Sequence, residues 1–176
     1  MSIALELRGI RKRFVVGAGE CRAAAEVLRG VDLVVGCGEC VVIAGANGSG
    51  KSTLMLCAAG LLTPDAGELK WFGNASRAVT RRRVLYHHAR ADLMRAGCAD
   101  EAHLHLVDIA ALVTDAALAA WIEQRRARGD AVVMTTRDAT SIALPAARVH
   151  ALRAGRVQRA GSAMPAHARV AETTRP

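Results

Sequence analysis

Apolar residues follow two patterns along the chain, strict alternation and short continuous runs, and both are typical of β-strands. Residues 3–8 alternate apolar and polar side chains, and residues 27–35 predict a second strand with a bulge at Gly30. The segment 15–25 between them is predicted to be a loop or an extension of the hairpin. Further strands are predicted over residues 40–44, 68–72, 103–107, 131–135 and 148–160, the last as two strands about Ala154 and Gly155.

Helical patterns alternate with these strands. Residues 53–59 are predicted to form one helix, and residues 116–128 a second helix that ends at Gly129, a residue suited to a C-cap. Helices that alternate with apolar strands favour an α/β fold, in which a mainly parallel sheet is covered by helices on both faces.

The segment 45–53 carries the most specific chemistry. It reads Gly-Ala-Asn-Gly-Ser-Gly-Lys-Ser-Thr and fits the phosphate-binding pattern G-x-x-x-x-G-K-[ST] between a predicted strand and a helix. Glycines let the backbone wrap closely around an anion, and the helix N-terminus directs N–H groups at it. Lys51 is expected to reach the β- and γ-phosphates, and Ser52 to hold Mg²⁺. The predicted nucleotide site comprises Gly45, Ala46, Asn47, Gly48, Ser49, Gly50, Lys51, Ser52 and Thr53.

Composition adds limits on partners and location. The chain has 176 residues, 52% of them hydrophobic but only 3% aromatic, which predicts one folded domain with an aliphatic core. A net charge of +8 suits nucleic acid or an anionic membrane surface. No aromatic residues interleave with the arginines, so a solvated basic face is the simpler interpretation and the case for nucleic acid is weak. Without a long apolar run or a leader segment, we expect a cytoplasmic chain.

The spacing of the cysteines and histidines does not predict a metal centre. Cys37 and Cys40 form a C-x-x-C pair, but no second pair completes a zinc site, so we interpret them as a reduced turn entering a buried strand. The histidines at 87, 88, 103 and 105 have no cysteine pair at ligand spacing and are expected to be ordinary surface or core residues.

The sequence on both sides of the loop resembles the ATP-binding subunit of ABC transporters. Residues 28–39 resemble the strand that leads to the family's Gly-Glu turn, and residues 60–73 its Gly-Leu-Leu-x-Pro segment. Residues 132–138 and 149–157 resemble its switch strand and closing hairpin. The resemblance implies a P-loop NTPase fold with an N-terminal antiparallel β-subdomain. It also implies that Phe14 stacks on adenine, although an aromatic there is equally suited to edge packing.

Residues 104–108, Leu-His-Leu-Val-Asp, resemble the family's Walker B motif. By that resemblance Asp108 holds Mg²⁺ together with Ser52, and the alternative is an aspartate that caps the following turn. Asp115 resembles the family's D-loop aspartate. It is also a candidate substitute base if the loop geometry were changed.

Several family features are absent from the sequence. Ile109 occupies the position of the catalytic glutamate, Arg137 that of the switch histidine, and the signature LSGGQ is missing. The helical subdomain between Lys51 and Asp108 is reduced to residues 74–102, where residues 81–88 are the remnant near the glutamine loop. Isoleucine cannot accept a proton from water, so we expect ATP binding with weak or lost hydrolysis, and no residue beyond Lys51 is assigned to catalysis.

These observations predict an ABC-type nucleotide-binding domain over residues 1–164 and a disordered tail over 165–176. The implied cofactors are ATP and Mg²⁺. The implied partners are a second nucleotide-binding subunit and a membrane-spanning transporter subunit, which would place the chain at the inner face of the plasma membrane. Two alternatives remain open. One is a P-loop small-molecule kinase with lid arginines at 81–83 or 90, and the other is a basic nucleic-acid-binding module.

Overall fold

A computed structural model describes residues 2–17, 23–76, 82–95, 101–109, 115–138, 144 and 146–159. The predicted tail 165–176, the end of the predicted domain at 160–164, Arg81, and the cysteines at 21 and 98 lie outside the described residues. The described strands are β1 Ile3–Val16, β2 Ala23–Gly36, β3 Cys40–Ala44, β4 Ala66–Trp71, β5 Val84–His87, β6 Leu104–Val107, β7 Ala131–Thr136, β8 Arg148–Arg153 and β9 Arg156–Arg159. The described helices are α1 Lys51–Ala58, α2 Arg90–Arg95 and α3 Ala116–Ala127.

The strands form two sheets. The smaller sheet has the order β2-β1-β4 and is antiparallel throughout, as the β-subdomain prediction requires. The larger sheet has the order β5-β6-β7-β3-β8-β9 and is parallel except for the final hairpin. The α/β fold with a mainly parallel sheet is therefore confirmed.

Two cores cover the faces of the larger sheet because successive strand residues point to opposite sides. In β3, Val41 and Ile43 join the core that contains α1 and the antiparallel sheet. Val42 points the other way, into the core that contains Trp121 and Ile122 of α3. All six residues of β7 are buried, which is typical of a strand covered on both faces.

The first hairpin is longer than the strand prediction for residues 3–8. β1 and β2 each have 14 residues, so residues 15–16 and 23–25 belong to an extension of the hairpin, and residues 18–22 of the segment lie outside the described part of the chain. Ile10 pairs with Val31 and Arg11 pairs with Arg29, which leaves Gly30 as the extra residue of the predicted bulge, with φ +81°. Two short elements, β5 and α2, were not predicted from the pattern.

No helix in the described part of the chain is long and apolar enough to cross a membrane.

Candidate functional site

The phosphate-loop sequence connects the buried strand β3 to helix α1, as predicted. Gly50 precedes the helix with φ +101°, a left-handed conformation that favours glycine. The first helical hydrogen bond runs from Leu54 N to Gly50 O over 2.8 Å. The N–H groups of the first helical turn therefore have no carbonyl partner within the helix, and they are suited to bind an anion.

Gly45 lies where the loop passes closest to its neighbours. A Cβ atom on Gly45 would lie 2.5 Å from the carbonyl oxygen of Leu152 and 2.8 Å from Ser49 Oγ. Ser49 Oγ is itself buried and has no hydrogen-bond partner among the described residues. A buried hydroxyl of this kind needs a partner, and a bound phosphate oxygen would supply one. The tight backbone and the orphaned hydroxyl both fit a phosphate group in this loop.

Lys51 lies folded against the loop. Its Nζ donates hydrogen bonds to Gly45 O over 2.7 Å and to Ala46 O over 2.9 Å. Burial lowers the pKa of Lys51 from its ordinary value, the negative charge of Asp108 raises it, and the positive charge of Arg137 lowers it further. The aspartate and the arginine therefore both act electrostatically on the lysine, which supports a common site.

Asp108 follows β6 directly and accepts two hydrogen bonds from neighbouring strands. Tyr86 of β5 donates its hydroxyl to Oδ2 over 3.1 Å, and Thr135 of β7 donates to Oδ1 over 2.6 Å. Burial, followed by the nearby charge of Asp108, raises the pKa of Tyr86 to about 12, so its hydroxyl remains a donor at neutral pH. These contacts hold the Asp108 side chain at the carboxyl end of the parallel strands. In the alternative interpretation, the side chain would instead cap the turn that follows.

A cavity of about 700 Å³ lies beside the loop. Of the predicted nucleotide-binding residues, Gly45, Ala46, Asn47, Gly48 and Ser49 line it. Arg137 follows β7 and lines the same cavity with an exposed side chain. Ser52 is exposed and Thr53 is half-buried in the first turn of α1. A hydroxyl and a carboxylate are hard oxygen ligands suited to Mg²⁺, so the chemistry of Ser52 and Asp108 fits that ion.

Phe14 lies on β1. Its side chain is 38% exposed, and the Nζ of Lys12 lies 5.7 Å from the centre of its ring. Phe14 is not among the described residues that line the cavity beside the loop. The ring is partly exposed, and its stacking on adenine stays a prediction.

Neither Ile109 nor Asp115 is well placed to act as a base after β6. Ile109 is half-buried and packs against the core that contains Trp121. Asp115 caps α3 by accepting from Leu118 N over 2.9 Å, and it also pairs with Arg90. The bond from Leu118 N and then the bond from Arg90 lower the pKa of Asp115. A carboxylate held in this way is a weak proton acceptor.

Two of the histidines, His87 and His105, belong to a buried network on the face of the larger sheet that α3 covers. His87 Nε2 lies 3.1 Å from His105 Nδ1, and His105 Nε2 lies 3.4 Å from Asp130 Oδ2. Arg125 Nη1 lies 3.8 Å from the same carboxylate oxygen, and the Trp121 ring meets both imidazoles edge-on. Within the described ranges no three His, Cys, Asp or Glu side chains are arranged to hold a metal ion.

Cys37 is half-buried and Cys40 is buried at the turn that enters β3, and both are free thiols. Burial raises the pKa of the Cys37 thiol, and it raises that of Cys40 to about 12. Thiols with raised pKa values are poor nucleophiles and metal ligands at neutral pH.

Sequence reasoning missed Tyr86 and Thr135 as members of the site. Both lie near the carboxyl ends of strands that flank β6, where ligand-binding residues of parallel sheets collect. Their role follows from their position beside Asp108 in the sheet, and that position cannot be known before the strand order is known.

Comparisons with known proteins agree with this arrangement. The model of the family described as ABC transporter matches residues 28–159. The chain is 47% identical over 62 residues to the cytochrome c biogenesis ATP-binding export protein CcmA of Cupriavidus necator, covering 35% of this chain and 27% of that protein. It is 38% identical over 112 residues to the lipoprotein-releasing system ATP-binding protein LolD 1 of Caulobacter vibrioides, covering 64% and 44%. The matches thus span less than half the length of these two curated relatives.

Solved structures share the fold at low identity. An ATP-binding subunit of an ABC transporter superimposes with a TM-score of 0.65 at 18% identity, covering 90% of this chain and 89% of that one. The dimeric ATP-binding cassette MJ0796, bound to ADP and Pi, gives a TM-score of 0.64 at 18% identity, covering 88% and 97%. The family match, the sheet order and the strand–loop–helix site agree, and the chain belongs to the ABC transporter family.

Proposed function

We propose that the chain is the ATP-binding subunit of an ABC-transporter-like system and binds MgATP at the loop 45–53. The observation that carries the proposal is the loop itself. Gly45 and Gly50 shape its backbone, the Ser49 hydroxyl is buried without a partner in the described structure, and Lys51 lies in the loop within electrostatic reach of Asp108. These are the groups that bind phosphates in strand–loop–helix sites.

Each group has a defined task in this proposal. The backbone N–H groups at the start of α1 and the ammonium of Lys51 bind the phosphates. Ser52 and Asp108 hold Mg²⁺, which when bound screens the phosphate charge. Lys51 would exchange its present hydrogen bonds to Gly45 O and Ala46 O for bonds to the nucleotide. Phe14 offers its exposed ring to the adenine.

We propose that hydrolysis is weak or lost. Ile109 follows Asp108 with an aliphatic side chain that packs into the core, and Arg137 stands where the family has a histidine. Neither can accept a proton from an attacking water. Loss of the catalytic groups at these two positions and in the missing signature typically lowers a reaction rate by several orders of magnitude. We therefore expect the chain to bind ATP without hydrolysing it rapidly.

The remaining assignments rest on family membership. Residues 1–164 would form the nucleotide-binding domain, with the helical subdomain shortened around residues 74–102. A second nucleotide-binding subunit and a membrane-spanning transporter subunit would complete the assembly. The chain would then lie in the cytoplasm at the inner face of the plasma membrane.

Isothermal titration calorimetry with MgATP tests the proposal. The wild type should show saturable binding that Lys51→Ala abolishes, because the substitution removes the charge that contacts the phosphates. Lys70→Ala is a matched control, since Lys70 lies on β4 and its Nζ is 3.9 Å from Glu68 rather than at the loop. Absence of binding in a wild type that melts cooperatively would contradict the proposal, as would equal loss in both variants.

A further inference from the structure

Tyr86 connects the edge of the larger sheet to Asp108. β5 and β6 are parallel, and Tyr86 pairs with Leu106 in their register. Asp108 lies two residues after Leu106, so it projects from the same face of the sheet as Leu106 and Tyr86. The hydroxyl of Tyr86 then reaches Asp108 Oδ2 over 3.1 Å. The side chain thus spans from an edge strand to the carboxylate that acts electrostatically on Lys51 of the phosphate loop.

Thr135 holds the same carboxylate from the opposite side. It lies on β7, the other neighbour of β6, and its hydroxyl donates to Asp108 Oδ1 over 2.6 Å. The backbone adds a third restraint, because Asp108 N donates to His87 O over 2.9 Å. Each carboxylate oxygen therefore has its own hydroxyl donor, and the orientation of the group is fixed by both adjacent strands.

The chemical nature of these donors matters. A hydroxyl is neutral, so Tyr86 and Thr135 orient the carboxylate without cancelling its charge as an arginine or lysine would. Each carboxylate oxygen has further lone-pair directions that can accept a cation or a metal-bound water. Asp108 also keeps its electrostatic interaction with Lys51 at the loop. The carboxylate is thus held in place and remains available as an anion.

We propose that Tyr86 is a positioning residue for the cation of the nucleotide site, acting by fixing Asp108 for Mg²⁺. This inference rests on the proposed function, because it assumes that MgATP binds at the loop. Groups that hydrogen-bond to metal ligands set their orientation, and their removal commonly lowers metal affinity by about 10- to 100-fold. The tyrosine hydroxyl would therefore contribute to nucleotide affinity only when the divalent cation is present.

Tyr86→Phe removes the hydroxyl and retains the ring. We expect this variant to bind ATP about tenfold more weakly than the wild type in excess Mg²⁺. In EDTA, where Asp108 has no cation to hold, the two proteins should have the same ATP affinity by calorimetry. Leu85→Ala is the matched structural control, since Leu85 precedes Tyr86 on β5 and projects from the other face. Its affinities in Mg²⁺ and EDTA should change by the same factor.

Equal affinity of Tyr86→Phe and wild type in Mg²⁺ would overturn the proposal. Equal weakening in both media would also overturn it, because that result indicates a general packing role. A second measurement tests the contact without nucleotide. Tyr86 is the only tyrosine of the chain, so tyrosine labelled at ¹³Cζ gives one NMR resonance. Asp108→Ala should shift that resonance in the ligand-free protein, and an unchanged resonance would contradict the contact.

The two measurements separate this inference from the proposed function. If the wild type bound no ATP in either medium, the proposed function would fail. The NMR experiment would then still decide whether Tyr86 contacts Asp108, and Mn²⁺ alone would serve as the probe of the cation site. Line broadening of the Tyr86 resonance by Mn²⁺, absent in Asp108→Ala, supports the positioning role, and no broadening in the wild type contradicts it.

Discussion

His87 and His105 stack in the interior of the protein, with ring centres 5.4 Å apart and His87 Nε2 lying 3.1 Å from His105 Nδ1. His105 is completely buried, and among the described residues Asp130, Arg125 and His103 also lie near it. Because two protonated imidazoles at this distance would repel one another, the pair is compatible with at most one positive charge. The network is therefore a part of the core that responds to acid.

Acidification should destabilise the protein through His105. Burial lowers its pKa to about 4, despite the opposing charge of Asp130, whereas the unfolded chain has the ordinary value of 6.5. Between these values the unfolded state binds the proton and the folded state does not, so the free energy of unfolding falls as pH decreases from about 6.5 to 4. The total loss is on the order of 3 kcal/mol for one such proton.

Urea unfolding between pH 4 and 7.5 measures this dependence. His105→Gln removes the titrating group, and its stability should depend on pH less steeply than that of the wild type across this window. His88→Gln is the control, because His88 is exposed and lies beside the network in sequence. A wild-type slope retained in His105→Gln would show that other groups cause the dependence.

Gly45→Ala should distort the phosphate loop. Its new methyl group would lie 2.5 Å from Leu152 O, which is closer than carbon and oxygen can approach. Overpacking of this kind costs about 1–3 kcal/mol, and we expect loss of MgATP binding with a lower melting temperature. Gly36→Ala is the comparison, since the atoms nearest its methyl group would belong to the flexible Glu39 side chain, at 3.3 Å or more. Normal nucleotide affinity in Gly45→Ala would contradict the close packing.

Ile109→Glu should not restore brisk ATP hydrolysis. The substitution returns a potential base beside Asp108, but the signature segment and the switch histidine are still missing. The glutamate would also replace an aliphatic side chain that packs against the core. Phosphate release under steady-state conditions should stay slow, and Lys51→Ala in the same background gives the rate of any contaminating ATPase. Rapid release above that rate would refute the prediction.

Trp71→Phe should destabilise the contact between α1 and the antiparallel sheet. The buried Trp71 Nε1 donates to Ala58 O, the carbonyl at the end of α1, over 2.6 Å. Its removal leaves that carbonyl without this donor, which costs about 1–3 kcal/mol. Trp121→Phe is the matched variant, because Trp121 Nε1 has no hydrogen-bond partner in the described structure. Urea denaturation followed by circular dichroism should therefore show a larger loss for Trp71→Phe.

Much of the fold was predictable where local sequence alone determines the structure. The loop 45–53 needs glycines, a lysine and a hydroxyl at fixed spacing, and its flanking strand and helix follow from short-range patterns. The hairpin about Ala154 and Gly155 is likewise local. Residues 9–14 of β1 were not predicted, because pairs such as Arg13 with Glu26 are held by cross-strand bonding rather than by a buried face.

The contacts that complete the site are not local. Tyr86 lies on β5, Thr135 lies on β7 and Asp108 directly follows β6, so their contacts depend on the strand order β5-β6-β7. Hydrophobic periodicity predicts that a strand exists and gives no information about its neighbours. The short strand β5 also has a weak hydrophobic pattern in the sequence. Its four residues end in His87, a polar residue that is buried beside His105.

The place of β3 between β7 and β8 has a consequence for how the protein is made. A ribosome completes the nonapeptide 45–53 well before it reaches Leu152, whose carbonyl oxygen lies against Gly45. The strand that carries the loop therefore leaves the ribosome with neither of its sheet neighbours yet synthesised. The loop gains its shape after translation has passed β8, so a nascent chain halted earlier would carry the whole motif and no formed cradle for phosphate.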